Sequence, residues 1–337
     1  MVALSVLDTA PVWQGSTPAQ SLRDMMELAR GVERLGYRRY WVAEHHNTLS
    51  IASSSPPVLV GQLAAVTSTL RVGAGGVMLP NHPPLVVAEQ FGTLEALHPG
   101  RIDLGIGRAP GTDPLTARAL RRTAGQLSDE DFPAQIAELA GYFDGPNTSA
   151  DGHPIHAIPA AGNRPALWLL GSSESSGELA GRLGLPYAFA HHIRPDNLDA
   201  ALDAYRRAFR PSAALPDPYV MVATLVIAAD TQEHAEWLSS SLGMAIVRLT
   251  REGFSHGPHL PPAQAAAHPF SDEDRALIRQ HMSVRVVGGP DTVRRQVTDL
   301  LERTAADELM VITLIQDRED RFRSYELLAE AVAVTAG

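Results

Sequence analysis

The chain has 337 residues, 45% of them hydrophobic, and its 38 acidic against 28 basic side chains give a formal charge of −10. That is enough apolar material for one large barrel or two domains, and the acidic balance argues against nucleic acid or an anionic membrane as the main partner. The absence of cysteine excludes disulfides, zinc–thiolate sites, iron–sulfur clusters and a cysteine nucleophile; with no apolar run of about 18 residues and no signal-like leader in MVALSVLDTAP, the expectation is a cytoplasmic protein.

Apolar strand-like runs alternate with helical patterns along the chain. Residues 2–7 read as the first strand. A helix follows from Pro18, with Thr17 as its cap, Gln20 as the capping-box partner, Leu22, Met25, Ala29 and Val32 on one face, and Gly36 as its stop. Strand 39–43, a helix near 57–68 and strand 71–75 come next. A helix from Pro84 presents Val87, Phe91 and Leu94, and strand 102–106 follows. Residues 110–165 break the rhythm, with a helical piece at 129–142. Strand 166–170, a helix to Leu183, strand 187–190, helix 197–209, strand 219–228 and helix 231–251 restore it. A second irregular stretch, 253–271, precedes helical patterns at 272–281 and 291–303, strand 308–314 and helix 321–334. Eight strand–helix units favour an α/β (β/α)8 TIM barrel, one domain over 1–337, with insertions after the fourth and seventh strands; a doubly wound open sheet is the runner-up.

In a barrel, chemistry belongs at the carboxyl ends of the strands, and the candidate residues fall there. Ala43-Glu44-His45-His46-Asn47 follows the second strand; its glutamate and paired histidines suit a general base or metal ligation, with one histidine facing the cavity and the other packing. Gly73-Ala74-Gly75-Gly76 ends the third strand, where glycines permit close backbone approach or simply a tight turn. His82 follows in a loop, to line the cavity or to close that loop. Gly105-Ile106-Gly107-Arg108 ends the fourth strand and offers a guanidinium for phosphate or flavin, or a surface arginine. Gly171-Ser172-Ser173-Glu174-Ser175-Ser176-Gly177 opens a helix and reads as a phosphate site or a multiply capped start. His191-His192 ends the sixth strand, and one of them should share His45's cavity. Val287-Gly288-Gly289-Pro290-Asp291 reads as a turn or anion site. No GxSxG elbow, dinucleotide fingerprint or HxH metal pattern is present.

Together AEHHN at 43–47, the block 72–111, LLGSSESSGELAGRLGLPYAFA at 169–190 and VVGGPDTV at 286–293 resemble the bacterial luciferase-like, flavin-dependent monooxygenase family, in particular the group 1 oxidoreductases. The resemblance implies FMN at the carboxyl ends of the strands. It implies His45 as the catalytic base, a non-proline cis peptide at Gly75-Gly76, Arg108 on the flavin phosphate, and Ser172, Ser173 and Ser176 in the phosphate loop. It departs from luciferase at Gly107, where a reactive cysteine stands there, and at Ser172, where the loop begins with glutamate. The implied chemistry takes reduced FMN from a separate reductase, forms a C4a-peroxyflavin with O₂, and oxygenates a small organic substrate such as an aldehyde or ketone. A homodimer and a mobile lid at 253–271 follow by the same analogy. Two alternatives stand beside it, a deazaflavin-dependent hydride transfer and a non-catalytic flavin-binding protein; a metal-dependent barrel hydrolase comes third.

Overall fold

A computed structural model describes residues 2–120, 131–253 and 257–334. In chain order the first units are β1 (Ala3–Asp8), α1 (Pro18–Arg34), β2 (Arg39–Val42), α2 (Pro56–Val66), β3 (Arg71–Met78), α3 (Pro84–Leu97) and β4 (Ile102–Gly107). An insertion carries α4 (Pro114–Ala119), α5 (Phe132–Asp144) and the small hairpin β5 (Asn147–Thr148) and β6 (Pro154–Ile155). Then come β7 (Ala166–Gly171), α6 (Glu174–Arg182), β8 (Tyr187–Ala190), α7 (Leu198–Ala208), β9 (Val220–Ala228) and α8 (Gln232–Glu252). A second insertion adds α9 (Pro262–Ala266), α10 (Asp272–Met282) and β10 (Val286–Gly288), and α11 (Pro290–Thr304), β11 (Glu308–Ile312) and α12 (Arg318–Val334) complete the chain.

β1, β2, β3, β4, β7, β8, β9 and β11 pair in parallel, and the β8–β9 and β11–β1 ladders close the ring. The fold is therefore the expected closed eight-stranded barrel rather than an open sheet, with the insertions in the expected places. α1 shows why the local sequence folds as it does. Thr17 Oγ1 accepts from the Gln20 amide at 3.2 Å, Met25, Ala29 and Val32 are buried, and Gly36 ends the helix at a φ of +80° that favours glycine. The capping box is corrected: the Gln20 side chain donates to Asp24 at 2.8 Å, one turn onward, and not back to the cap. β10 is a second correction. The run Val286–Gly288 is no turn but a strand laid along Val226–Ala228 of β9. β3 runs three residues past Gly75, to Met78, with an irregularity between Ala74 and Val77. The helical piece expected at 129–142 is α5, its first two positions lying outside the described residues.

Apolar side chains fill the layer between strands and helices. The barrel interior is tiered. At its amino-terminal end Arg39 pairs with Asp103 at 2.8 Å and Glu308 at 3.0 Å, Arg71 reaches Asp103 at 2.6 Å, and Tyr219 donates to Glu308 at 2.9 Å. Asp103 and Glu308 are fully buried and every charge has an opposite neighbour, the condition under which buried ions are tolerated. Above them Trp41 donates its indole N–H to Asp103 at 2.9 Å and meets Trp168 edge-on at 5.2 Å, with Leu7, Ala188, Met221 and Met310 around them. The lower barrel is thus a plug, and any ligand space lies above it. A separate cavity of about 240 Å³ opens between α1 and α12, walled by Glu27, Leu28, Arg318 and Phe322, and holds none of the candidate site residues. Among the described residues no helix is long and apolar enough to cross a membrane.

Candidate active site

The residues past β2 leave the ladder at Val42 and turn across the rim. Asn47 adopts a positive φ of 52°, which asparagine tolerates, and its amide donates to Thr116 at 2.8 Å. The turn separates the two histidines as expected. His46 Nε2 donates to Glu44 at 2.9 Å, while His45 is held by its backbone, whose amide donates to Ser53 O at 3.0 Å. Glu44 is fully buried and takes four donors: His46, His82 Nε2 at 2.9 Å, Asn81 Nδ2 at 3.1 Å and the Met78 amide at 3.0 Å. Burial alone would raise its carboxyl, but the hydrogen bonds from His46 and His82, the electrostatic pull of His82 and the Met78 amide hold it at about 2. A carboxylate so engaged is a poor proton acceptor at neutral pH. Glu44 is the clamp that ties the end of β2 to the end of β3, and His82 closes the loop onto it.

His45 is the opposite case. Its Nδ1 is buried and has no hydrogen-bond partner among the described residues. Burial, opposed by the charge of Glu44 and aided by His46, lowers its pKa, so the ring is neutral at pH 7. His192 ends β8, diametrically across the barrel from β2, and its imidazole feels His45 electrostatically. His191 instead bonds the Thr224 hydroxyl at 3.2 Å. Among the described residues no three His, Asp or Glu side chains gather as a metal site.

Gly75-Gly76 is a cis peptide, on the position that the resemblance marks. Packing of the chain itself accounts for these glycines. A Cβ at Gly75 would come within 2.8 Å of Trp41 and 2.9 Å of Leu7, and at Gly76 within 2.9 Å of Gly105 O. Gly105 has the same need, its Cβ falling 2.3 Å from Ala74 O, so β3 and β4 approach more closely here than side chains allow. Arg108 lies exposed on the rim just past β4. At the start of α6 Ser173 is the N-cap and Ser176 completes a capping box; Ser176 Oγ also meets Tyr187 OH at 2.8 Å, a support that no sequence signal announced. Ser172 is engaged through its carbonyl, which accepts from Asn197 at 2.9 Å, and among the described residues its hydroxyl has no protein partner. The first amides of the helix have no partner within it, so the capped start keeps its anion-binding end.

The expected lid is anchored. His259 exchanges backbone hydrogen bonds with Val12 and Gln14, both 2.8 Å, and its ring lies 5.5 Å from that of Trp13; Arg248 and Ser241 on α8 donate to Pro258 and Leu260.

The family model for luciferase-like monooxygenases matches residues 2–308. The chain belongs to the luciferase-like monooxygenase family. It is 47% identical over 328 residues to a luciferase-like monooxygenase of Escherichia coli (strain K12), covering 97% of this chain and 96% of that one. It is 35% identical to the N-acetyl-S-alkylcysteine monooxygenase of Bacillus subtilis (strain 168), covering 98% of each. Of solved structures, apo-MsnO8 superposes with a TM-score of 0.89 at 41% identity over 99% of both chains. More distant structures share the fold alone. The oxygenating constituent of 3,6-diketocamphane monooxygenase from Pseudomonas putida, in complex with FMN, has a TM-score of 0.77 at 21% identity over 99% of this chain and 98% of that one. An F420-dependent secondary alcohol dehydrogenase has 0.66 at 12%, over 98% and 99%. As a member of the luciferase-like monooxygenases the protein is a flavin-dependent monooxygenase.

Proposed function

We propose that this enzyme binds FMN across the carboxyl-terminal rim of the barrel and inserts one oxygen atom into a small organic substrate such as an aldehyde or ketone. The observation that carries the reading is His45: a neutral imidazole on a luciferase-like rim, within electrostatic reach of His192, with a buried Nδ1 that no described residue satisfies. A buried polar atom without a partner costs free energy, and a bound ligand supplies the partner. The start of α6 fits a phosphate tail, through its first amides and the Ser172 hydroxyl, and Arg108 on the neighbouring strand end adds positive charge. The tryptophan tier closes the site from below and keeps water out.

When bound, reduced FMN supplies the two electrons with which O₂ is cleaved, one oxygen going to substrate and the other to water. The Gly75-Gly76 backbone would hold the flavin ring, the tier below would keep bulk water from the barrel side, and His45 would move a proton at Nδ1. On the family resemblance, the reduced flavin comes from a separate reductase, and both work in the cytoplasm. The working form is a homodimer; α2, apolar around its circumference, leaves Val58 63% exposed, and α3 leaves Val86 39% exposed.

The test offers the protein reduced FMN and reduced deazaflavin in turn, under limiting oxygen, with short-chain aldehydes and ketones. Aldehyde- or ketone-dependent oxygen uptake with FMN supports the reading. Substrate-linked oxidation of the deazaflavin without oxygen uptake overturns it in favour of hydride transfer, and binding of FMN without turnover of any compound overturns it in favour of flavin carriage.

A further inference from the structure

Arg285 carries an observation that the flavin reading leaves unused. It directly precedes β10, whose Val286 pairs with Val226 on β9. β8 pairs lower on β9, ending with Ala190 opposite Ala223. Between the two ladders His191 bonds Thr224, and His192 Nδ1 donates to Ala223 O at 3.0 Å. Arg285 therefore enters at the rim close enough to act on both histidines, at the start of β10, which shares β9 as a neighbour with the strand that carries them. Burial first, and then the charge of Arg285, holds His192 at about 4; burial, Arg303 and Arg285 do the same to His191.

Arg285 is half-buried, and that burial pulls the pKa of its guanidinium down. One arm donates to the His281 carbonyl, and its Nε is buried without a partner. Among the described residues no carboxylate pairs with it. Arg303, the other cation near His191, is already held by both oxygens of Asp199, at 2.6 and 3.0 Å. A half-buried cation without a counter-ion is costly to maintain, and its planar fork matches an oxyanion. His192 also feels the charge of His45, so an anion held at Arg285 sits on the same rim as the reacting centre.

We propose that Arg285 captures the oxyanion end of the organic substrate, which makes that substrate an organic carboxylate oxidised at a position remote from its acid group. The proposal rests on the oxygenase reading above for what happens at that remote position. The phosphate of the flavin is the other source of an oxyanion, and the test separates the two.

Calorimetry would compare hexanoate with hexanamide on the flavin-free and the FMN-loaded protein, for the wild type, Arg285→Met and Arg285→Lys, with FMN affinity read separately by flavin fluorescence. The wild type is expected to bind hexanoate at least about tenfold more tightly than hexanamide, and Arg285→Met to erase that preference while FMN affinity is unchanged. Arg285→Lys keeps the charge and should keep part of the preference, so it carries the comparison if the methionine variant fails to fold. Equal binding of acid and amide by the wild type overturns the proposal, as does a preference that survives in Arg285→Met. Loss of FMN affinity in Arg285→Met with the acid preference intact overturns it too and gives the guanidinium to the flavin phosphate. If FMN does not bind at all, the oxygenase reading fails, while the flavin-free titrations still decide whether Arg285 selects carboxylates.

Discussion

Glu44 and His45 are neighbours in sequence and opposites in chemistry, and acid titration should tell them apart. Glu44 is held at about 2 against an ordinary 4.5, so its contribution is complete above 4.5 and is lost as pH falls from there towards 2, roughly 3 kcal/mol in all. Glu44→Gln keeps one carbonyl acceptor but no charge, and chemical denaturation at pH 7 should show a loss of about 2–4 kcal/mol and a flatter stability profile below pH 4.5. The histidines act earlier. His191 and His192 stay neutral in the fold down to about 4, whereas the unfolded chain protonates near 6.5, so stability should also fall as pH drops through that window. Replacing both by asparagine should remove that part of the pH dependence. At His45 the expected result is kinetic: His45→Ala should lower kcat by about 10²–10⁴ with thermal stability held, and the acid limb of the wild-type rate profile should lie below pH 6.5. The sequence put Glu44 and His45 together as candidate base or ligands because both follow a strand. Only the structure separates them, since the donors that occupy Glu44 come from Met78, Asn81 and His82, more than thirty positions on. Arg285 was invisible for a related reason: an arginine between Val284 and Val286 reads as solvated until β10 is laid against β9.

At the scale of elements, the start of α6 couples folding to ligand binding in a way that substitutions can divide. Ser173→Ala removes the N-cap hydroxyl and Ser176→Ala removes the return bond and the Tyr187 contact; each should cost about 1 kcal/mol of stability as well as FMN affinity. Ser172→Ala should leave the melting temperature unchanged and weaken FMN alone, as measured by fluorescence titration. Gly75→Ala should destabilise by about 1–3 kcal/mol, because its Cβ meets Trp41 and Leu7 at sub-van der Waals distance. The barrel strands were legible because each is an apolar run bounded by helix signals, and local pattern suffices for that. β10 was not, because Val286-Val287-Gly288 followed by Gly289-Pro290 has the chemistry of a turn, and only a non-local partner on β9 makes it a strand. The Gln20 capping box failed on a similar competition, in which Arg23, three residues on, donates to the side-chain oxygen that would have accepted from the cap's backbone amide.

The whole molecule is a ring plugged from below, charged at the base and aromatic above it, so that chemistry is confined to one rim. Arg39 holds that base together. Arg39→Met leaves Asp103 and Glu308 buried with fewer counter-charges and should cost about 3–5 kcal/mol in denaturant titration, with Trp41 fluorescence reporting the loosened tier. If the exposed apolar faces of α2 and α3 meet in a dimer, Val58→Glu should yield monomers in sedimentation velocity while the wild type sediments as a dimer. The central claim concerns the rim, and an anaerobic fluorescence titration of the purified protein with oxidised and reduced FMN addresses it most directly. The account predicts saturable binding of one flavin per chain, weakened in Ser172→Ala; protein that takes up flavin in neither redox state would contradict it.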